Sequence, residues 1–348
     1  MADRARKGED KAMAQPVGNG GGNGGGRGGS SAADDARLRQ TATYASVSVA
    51  VILIVAKLGA YLYTESVSIL SSLIDSSSDL LASIVTLLGV RVALRPPDRS
   101  HRYGHGKAEP LAALAQAAFV VGSAVFLSYE AINRLINPQP VQESTAGIAV
   151  MILSIVLTLG LVTFQRQVIR RTGSMAIGAD SLHYSGDLFM NLAVITALVV
   201  TGMTGIAILD PIFALGIAAF LIIGAIRIAN GSLAALMDRE IPHADRKRIR
   251  EIVMDHPATR DMHDLRTRNA GNMLFIELHL ELDSDLTLAQ AHDITDEVER
   301  QLMAAFPLSE VLVHQEPYGL TDERLDTRIA EAGRIRRGQD HVGSDIGG

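Results

Sequence analysis

Between Ala45 and Leu236 the chain carries one long apolar run after another, separated by short polar breaks. A helix needs about 20 predominantly apolar residues to cross the hydrocarbon core of a bilayer. A soluble domain rarely holds several such runs. The pattern predicts six transmembrane helices: Ala45–Tyr63, Val67–Leu94, Leu111–Ile136, Ala146–Ile169, Met175–Thr201 and Asp210–Met237.

Basic residues in short loops set the expected orientation. The connection after the second helix carries Arg95, Arg99, Arg102 and Lys107, with Arg91 just before it. The connection after the fourth carries Arg170 and Arg171, with Arg166 close by. The opposite connections, Thr64–Ser66, Gly202–Leu209 and the one after Ile136, contain no Lys or Arg. Both termini and both basic loops are therefore expected on the cytoplasmic side.

The flanks have a different composition. Residues 1–40 include a glycine-rich stretch that cannot bury a core, and residues 319–348 resemble it; both are expected to be disordered. The membrane domain is assigned to residues 41–238 and a soluble domain to 239–318. In the latter, Ala244–Met254 and Thr287–Ala305 read as helices, with Thr287 as N-cap. Met262–Arg268, Met273–Leu282 and Val311–Gln315 read as strands, the first two joined by an Asn-Ala-Gly-Asn turn. Alternation in the second strand puts Ile276, Leu278, Leu280 and Leu282 on one face and Glu277, His279 and Glu281 on the other. The expected fold is thus an α-helical membrane domain of six spans followed by a cytoplasmic α+β domain.

The chemistry is concentrated in two of the apolar helices. The second contains Asp75 and Asp79, the fifth His183 and Asp187. Each pair is spaced i, i+4 and lies on one helix face. Ionisable groups at membrane depth are costly and are functional-site candidates by default. Two such helices side by side would offer three carboxylates and one imidazole, a number that suits tetrahedral zinc. Ion pairing is the structural alternative, with Lys57 in the first helix able to neutralise one carboxylate. The chain has no cysteine, so any metal must be held by His, Asp or Glu. That donor set favours hard and borderline divalent ions over monovalent copper. These ligands bind metal only when deprotonated, so protons and metal compete, and His183 is the expected proton carrier.

Two further clusters lie outside the spans. Asp98, His101 and His105 in the second connection are a metal set or a solvated loop. His263, His279, His292 and His314, with Glu316, crowd the soluble domain. The net charge of −6 offers no argument for nucleic-acid binding. A metal sensor would not need intramembrane ligands. A metalloenzyme would need an open metal position and a base. Transit of a cation fits better than either.

These residues carry a resemblance to the cation diffusion facilitator family, covering about Ala45 to Pro317. It rests on the Ser68–Asp79 stretch, Tyr103–Glu109, Ala179–Asp187, the His263–Arg268 segment and the His-Gln-Glu-Pro run at 314–317. The resemblance implies a proton-coupled exporter of divalent transition metal, zinc above all, working as a homodimer within the lipid of a bacterial inner membrane. It implies that Asp75, Asp79, His183 and Asp187 form the transport site. Asp98, His101 and His105 match a second site. His263, His279, His292 and His314 match a two-metal site with Gln315 beside it. There the family carries Asp where this chain has Glu316, a carboxylate on a longer arm. Lys107 and Asp238 match a charge interlock near the dimer interface. The soluble domain is expected to resemble a ferredoxin-like metallochaperone.

Overall fold

The structure is a computed structural model; it describes residues 26–137, 145–204, 208–320 and 324–332. Six long helices form the first part: α1 (Gly26–Thr64), α2 (Val67–Ala93), α3 (Ala108–Ile136), α4 (Thr145–Thr172), α5 (Met175–Thr204) and α6 (Leu209–Leu236). Five of them are long and apolar enough to cross a membrane. The sixth, α5, has 30 residues and packs against α2, α3, α4 and α6; the polar residues it carries include His183 and Asp187. The sequence reading of six helices thus agrees with the structure, apart from a few residues at most boundaries.

The bundle is built inside out relative to a soluble protein. Large apolar side chains such as Leu62, Phe126 and Val156 face outward, where lipid would solvate them. The interior is lined by small residues, among them Ala113, Ala117, Ala124, Ala218 and Ala225. Small residues let helix backbones approach, which is how helices pack where no hydrophobic drive separates protein from lipid. Gly89 on α2 shows the tolerance: a Cβ there would lie 2.2 Å from the Ala112 Cβ of α3.

The ends of the chain differ from expectation. Helix α1 begins at Gly26, well before the expected start at Ala45, so the segment from 26 to 40 is helical rather than disordered. The polar extension is pinned by ion pairs that composition alone cannot reveal. Asp35 takes Arg171 at 2.7 Å, and Arg39 reaches Glu109 on α3 at 2.9 Å and the Thr172 carbonyl at 2.7 Å. Residues 325–332, expected to be unstructured, form a short helix. Residues 1–25 and 333–348 lie outside the described residues, as does 138–144 of the connection after Ile136.

The soluble domain runs α7 (His243–Asp255), β1 (Asp261–Ala270), β2 (Met273–Leu282), α8 (Leu288–Ala305) and β3 (Ser309–Pro317). Strands β1 and β2 pair antiparallel and β2 and β3 parallel, in sheet order β1-β2-β3. Ile249 and Val253 of α7 and Val298 and Leu302 of α8 pack on Ile276, Leu278, Leu280 and Leu282, which fills one sheet face. The other face carries the polar residues. Thr287 caps α8 through a capping box with Gln290.

The two parts meet on the side of the basic loops. Gly106, in the connection between α2 and α3, sits so close to the β1–β2 turn that a Cβ would lie 2.2 Å from the Ala270 carbonyl carbon. Arg268 lies over the Tyr103 ring at 4.4 Å, and Lys107 bonds Asp238 at 2.9 Å.

Candidate metal centres

The packing of α2 on α5 brings one residue of the first helix onto two of the second. His183 Nε2 lies 2.9 Å from Asp79 Oδ1 and 3.9 Å from Asp187 Oδ2. His183 is buried, and the three side chains offer ligand atoms that all lie within 4.8 Å of one another. Ligands of a tetrahedral zinc at 2.0–2.1 Å stand about 3.4 Å apart, so the three donors need only small shifts to share an ion. The i, i+4 spacing of His183 and Asp187 supplies two of them from one helix face.

Asp75 is not part of this set. It lies on α2 one turn from Asp79, but its side chain is exposed rather than turned to α5. Lys57 does not neutralise a carboxylate by contact: its ammonium donates to the Ser72 carbonyl at 3.0 Å and the Ser76 hydroxyl at 2.6 Å. The positive charge thus stands beside the acidic turn of α2 without capping it.

A polar knot that sequence reasoning left unassigned surrounds Asp180, one turn before His183. Asp180 is fully buried and accepts from Ser46 of α1 at 2.6 Å, Gln116 of α3 at 3.2 Å and Gln165 of α4 at 2.7 Å. Ser83 of α2 bonds both Ser46 and the Tyr184 hydroxyl at 2.8 Å. Five helices converge on these few side chains. The available signal was Gln116 and Gln165 in otherwise apolar helices, since isolated polar residues there usually bridge helices.

The second cluster lies in the connection between α2 and α3. Asp98 Oδ1 lies 3.4 Å from His101 Nδ1, and Asp98 Oδ2 lies 3.3 Å from His105 Nε2. The centroids of the two imidazole rings lie 4.5 Å apart, with the rings tilted at 43° to each other. The backbone N–H groups of His101 and Ser100 donate to Asp98 and hold its carboxyl below the usual carboxylate range. All three expected residues are brought together here, and they form a set that could hold an ion.

The soluble domain separates its candidates. Strand register aligns His263 with His279 and His279 with His314, so one row of imidazoles crosses all three strands. Adjacent rings lie 5.0 and 4.8 Å apart. Two residues along, the same register aligns Asp261, Glu281 and Glu316 in a row of carboxylates. Glu316 Oε2 stands 3.3 Å from His263 Nε2, and its Oε1 stands 2.8 Å from His279 Nδ1 and 3.4 Å from His314 Nε2. Glu281 Oε1 lies 3.2 Å from His263 Nδ1.

Both ring nitrogens of His263 are buried and lack an aligned hydrogen-bond partner, although a carboxylate lies near each. A buried imidazole in that position suits a cation between it and Glu316. His263, His279 and Glu316 form the set that could hold one ion, and His314 borders it. His292 does not reach it. It sits exposed on α8 and faces Asp296 at 3.5 Å, because α8 packs on the opposite, apolar face of the sheet. Gln315 likewise points to α8 and donates to Thr295 at 2.8 Å. A bulge between His263 and Arg266 puts Asp264 at φ +52°, which register prediction could not anticipate.

Comparison with known proteins sets these centres in context. Residues 43–237 match the cation efflux transmembrane domain, and residues 241–318 match the cation efflux protein cytoplasmic domain. The chain belongs to the cation efflux family, the cation diffusion facilitators. It is 48% identical to the cation-efflux pump FieF of Shewanella oneidensis over 79% of this chain and 93% of that one. It is 45% identical to the FieF pump of Cronobacter sakazakii, over 82% and 94% of the two chains. A solved structure of the putative zinc transporter CzrB in its zinc form aligns with 25% of this chain and 99% of its own, at 35% identity and a TM-score of 0.24. Membership makes this cation diffusion facilitator a multi-pass membrane transporter rather than an enzyme, and metal-cation efflux is the activity of its kind.

Proposed function

We propose that the chain exports divalent transition metal, zinc first, from the cytoplasm in exchange for protons, as a homodimer in a bacterial inner membrane. The observation that carries the reading is the Asp79–His183–Asp187 cluster between α2 and α5. It is a set of oxygen and nitrogen donors at membrane depth, with no Lys or Arg side chain in contact among the described residues.

Such a cluster binds a divalent cation only when His183 is unprotonated and the carboxylates are ionised, so each metal ion and each proton exclude one another. In its present arrangement His183 hydrogen-bonds Asp79. An arriving ion replaces that bond with two metal–ligand bonds, and a departing ion lets the imidazole accept a proton and pair with Asp79 again. Asp187, on the same face of α5, adds the second carboxylate. Asp75, one turn along α2, is placed to supply a fourth donor if its side chain turns inward. This is the chemistry of exchange: the same lone pairs serve cargo and counter-ion in alternation.

The soluble domain packs on the side of the basic loops, which supports a cytoplasmic placement of both. The family domain that residues 241–318 match is a dimerisation domain, and this supports a homodimer. The deciding experiment uses purified protein in sealed vesicles, with zinc outside and a pH-sensitive dye within. Expected is zinc uptake that accelerates when the lumen is acid and that alkalinises it. Zinc flux indifferent to an imposed pH gradient would defeat the antiport reading, and absence of any metal flux would defeat transport.

A further inference from the structure

The row of carboxylates on the soluble domain has a partner that lies outside the family's matched region. Residues 324–332 follow β3 and return to the polar face of the sheet. Arg324 Nη2 donates to Glu281 Oε1 at 2.5 Å, and its Nη1 lies 3.9 Å from Asp261. Glu281 also accepts from the Gly319 N–H at 3.3 Å.

The segment is held at a second point. The N–H groups of Leu325 and Asp326, at the start of the helix 325–332, donate to the Asp264 carboxylate at 2.8 and 3.0 Å. In return the Asp264 N–H donates to the Asp326 carboxylate at 3.0 Å. The left-handed conformation of Asp264, at the bulge in β1, is what aims that residue at the segment. The strap therefore grips the two residues that flank His263: Asp264 beside it in the chain, and Glu281 across from its Nδ1.

Glu281 is buried, so its charge needs a counter-charge nearby. Arg324 supplies one from the strap. A divalent ion on His263, His279 and Glu316 would supply another. Of the three aligned carboxylates, Asp261 is already paired with Arg250 at 3.2 Å. A divalent ion balances the remaining two, Glu281 and Glu316, without Arg324. With Arg324 docked on the Glu281 oxygen that faces His263, the same ion would stand close to a like-charged guanidinium in a poorly solvated place, and the two cations repel. Metal and strap then oppose each other, and by linkage each weakens the other by the same factor.

We propose that Arg324 is an affinity-setting residue of the cytoplasmic centre, a tethered cation that docks on Glu281 when metal is absent and is displaced when metal binds. This rests on the reading of His263, His279 and Glu316 as a metal centre. The free strap, residues 324–332, then becomes the signal that cytoplasmic metal is abundant.

The test uses the purified full chain in detergent and zinc as probe. Hydrogen exchange of the segment 324–332 is followed with zinc and with chelator. A second measurement titrates zinc into an Asp79→Ala, Asp187→Ala, Asp98→Ala background, which leaves the cytoplasmic centre to bind it. Expected is faster exchange of the Leu325 and Asp326 amides in zinc, an effect lost in His263→Ala. Arg324→Gln should tighten zinc at the cytoplasmic centre by roughly tenfold, and Arg324→Lys should restore much of the original affinity. Zinc that binds the centre while leaving strap exchange and the Arg324→Gln affinity unchanged would overturn the strap alone. Equal zinc binding by wild type and His263→Ala would overturn the metal centre, and the strap with it.

Discussion

His183 Nε2 lies 2.9 Å from Asp79 Oδ1, so a residue of α5 meets a residue of α2 that is more than 100 positions earlier in the chain. If this contact marks the cargo site, removing either side chain removes a ligand rather than a supporting group. Asp79→Ala and Asp187→Ala should each reduce zinc flux in vesicles by more than the roughly 10–100-fold that loss of an outer-shell partner costs. Both proteins should still reach the membrane and elute as the wild type does. Asp75→Ala, whose side chain stands outside the three-atom set, should cost less than Asp79→Ala. A larger loss from Asp75→Ala would show that Asp75 moves inward to hold the ion.

Asp180 makes a different prediction. It accepts hydrogen bonds from three helices in a fully buried position. Asp180→Ala would leave the Ser46 and Gln donors unpaired, and each buried unpaired group costs about 1–3 kcal/mol. The variant should therefore lose thermal stability and yield, measured by thermal unfolding in detergent. Asp180→Asn, which keeps the shape and one acceptor, should lose less. Unchanged unfolding in Asp180→Ala would mean the knot contributes little to holding α5.

Gly106 tests the seating of the soluble domain. A Cβ there would meet the backbone of Ala270 and Gly271 at 2.2–2.4 Å, and backbone cannot rotate away as a side chain can. Gly106→Val should separate the β1–β2 turn from the loop and raise hydrogen exchange at the turn, with the sheet itself still protected. Exchange at the turn equal to wild type would show that the contact is not maintained in solution.

The loop centre has a defined acid response. The backbone N–H groups of His101 and Ser100 hold the Asp98 carboxyl low, and a depressed carboxylate contributes stability that is present above its unfolded value, about 3.9, and lost as pH falls through the lower folded one. Between pH 8 and pH 5 Asp98 therefore stays ionised, and the local loop structure it caps should be unchanged. NMR titration of the Asp98 side chain would check this, and a midpoint above 4 would contradict it.

The membrane architecture and the candidate metal donors were legible in the order of the residues, because both depend on local rules. Lipid demands long apolar helices, and those runs are visible without any tertiary information. Ligand pairs spaced i, i+4 share a face by helix geometry alone, which is enough to bring His183 and Asp187 together but leaves Asp75 outside the set that Asp79 joins. In the soluble domain, alternation in β2 assigned the polar face of His279 and Glu281 correctly. What the order of residues did not contain was register and long-range contact. Three imidazoles from three strands stand in one row only because the pairing aligns positions 263, 279 and 314. The same packing carries His292 to the far side on α8, though composition counted it among the cluster.

The ends of the chain make the point most plainly. Segments 26–40 and 325–332 have compositions that cannot bury a core, and their order comes from partners elsewhere: Arg171 and Glu109 for the first, Asp264 and Glu281 for the second. Such ion pairs and caps join residues dozens to more than a hundred positions apart. Sequence by itself determined which residues could bind a cation and that helices would carry some of them through a membrane. Only the tertiary structure decided which donors stand within reach of one ion, because reach depends on how helices and strands pack, and packing is a property of the whole chain.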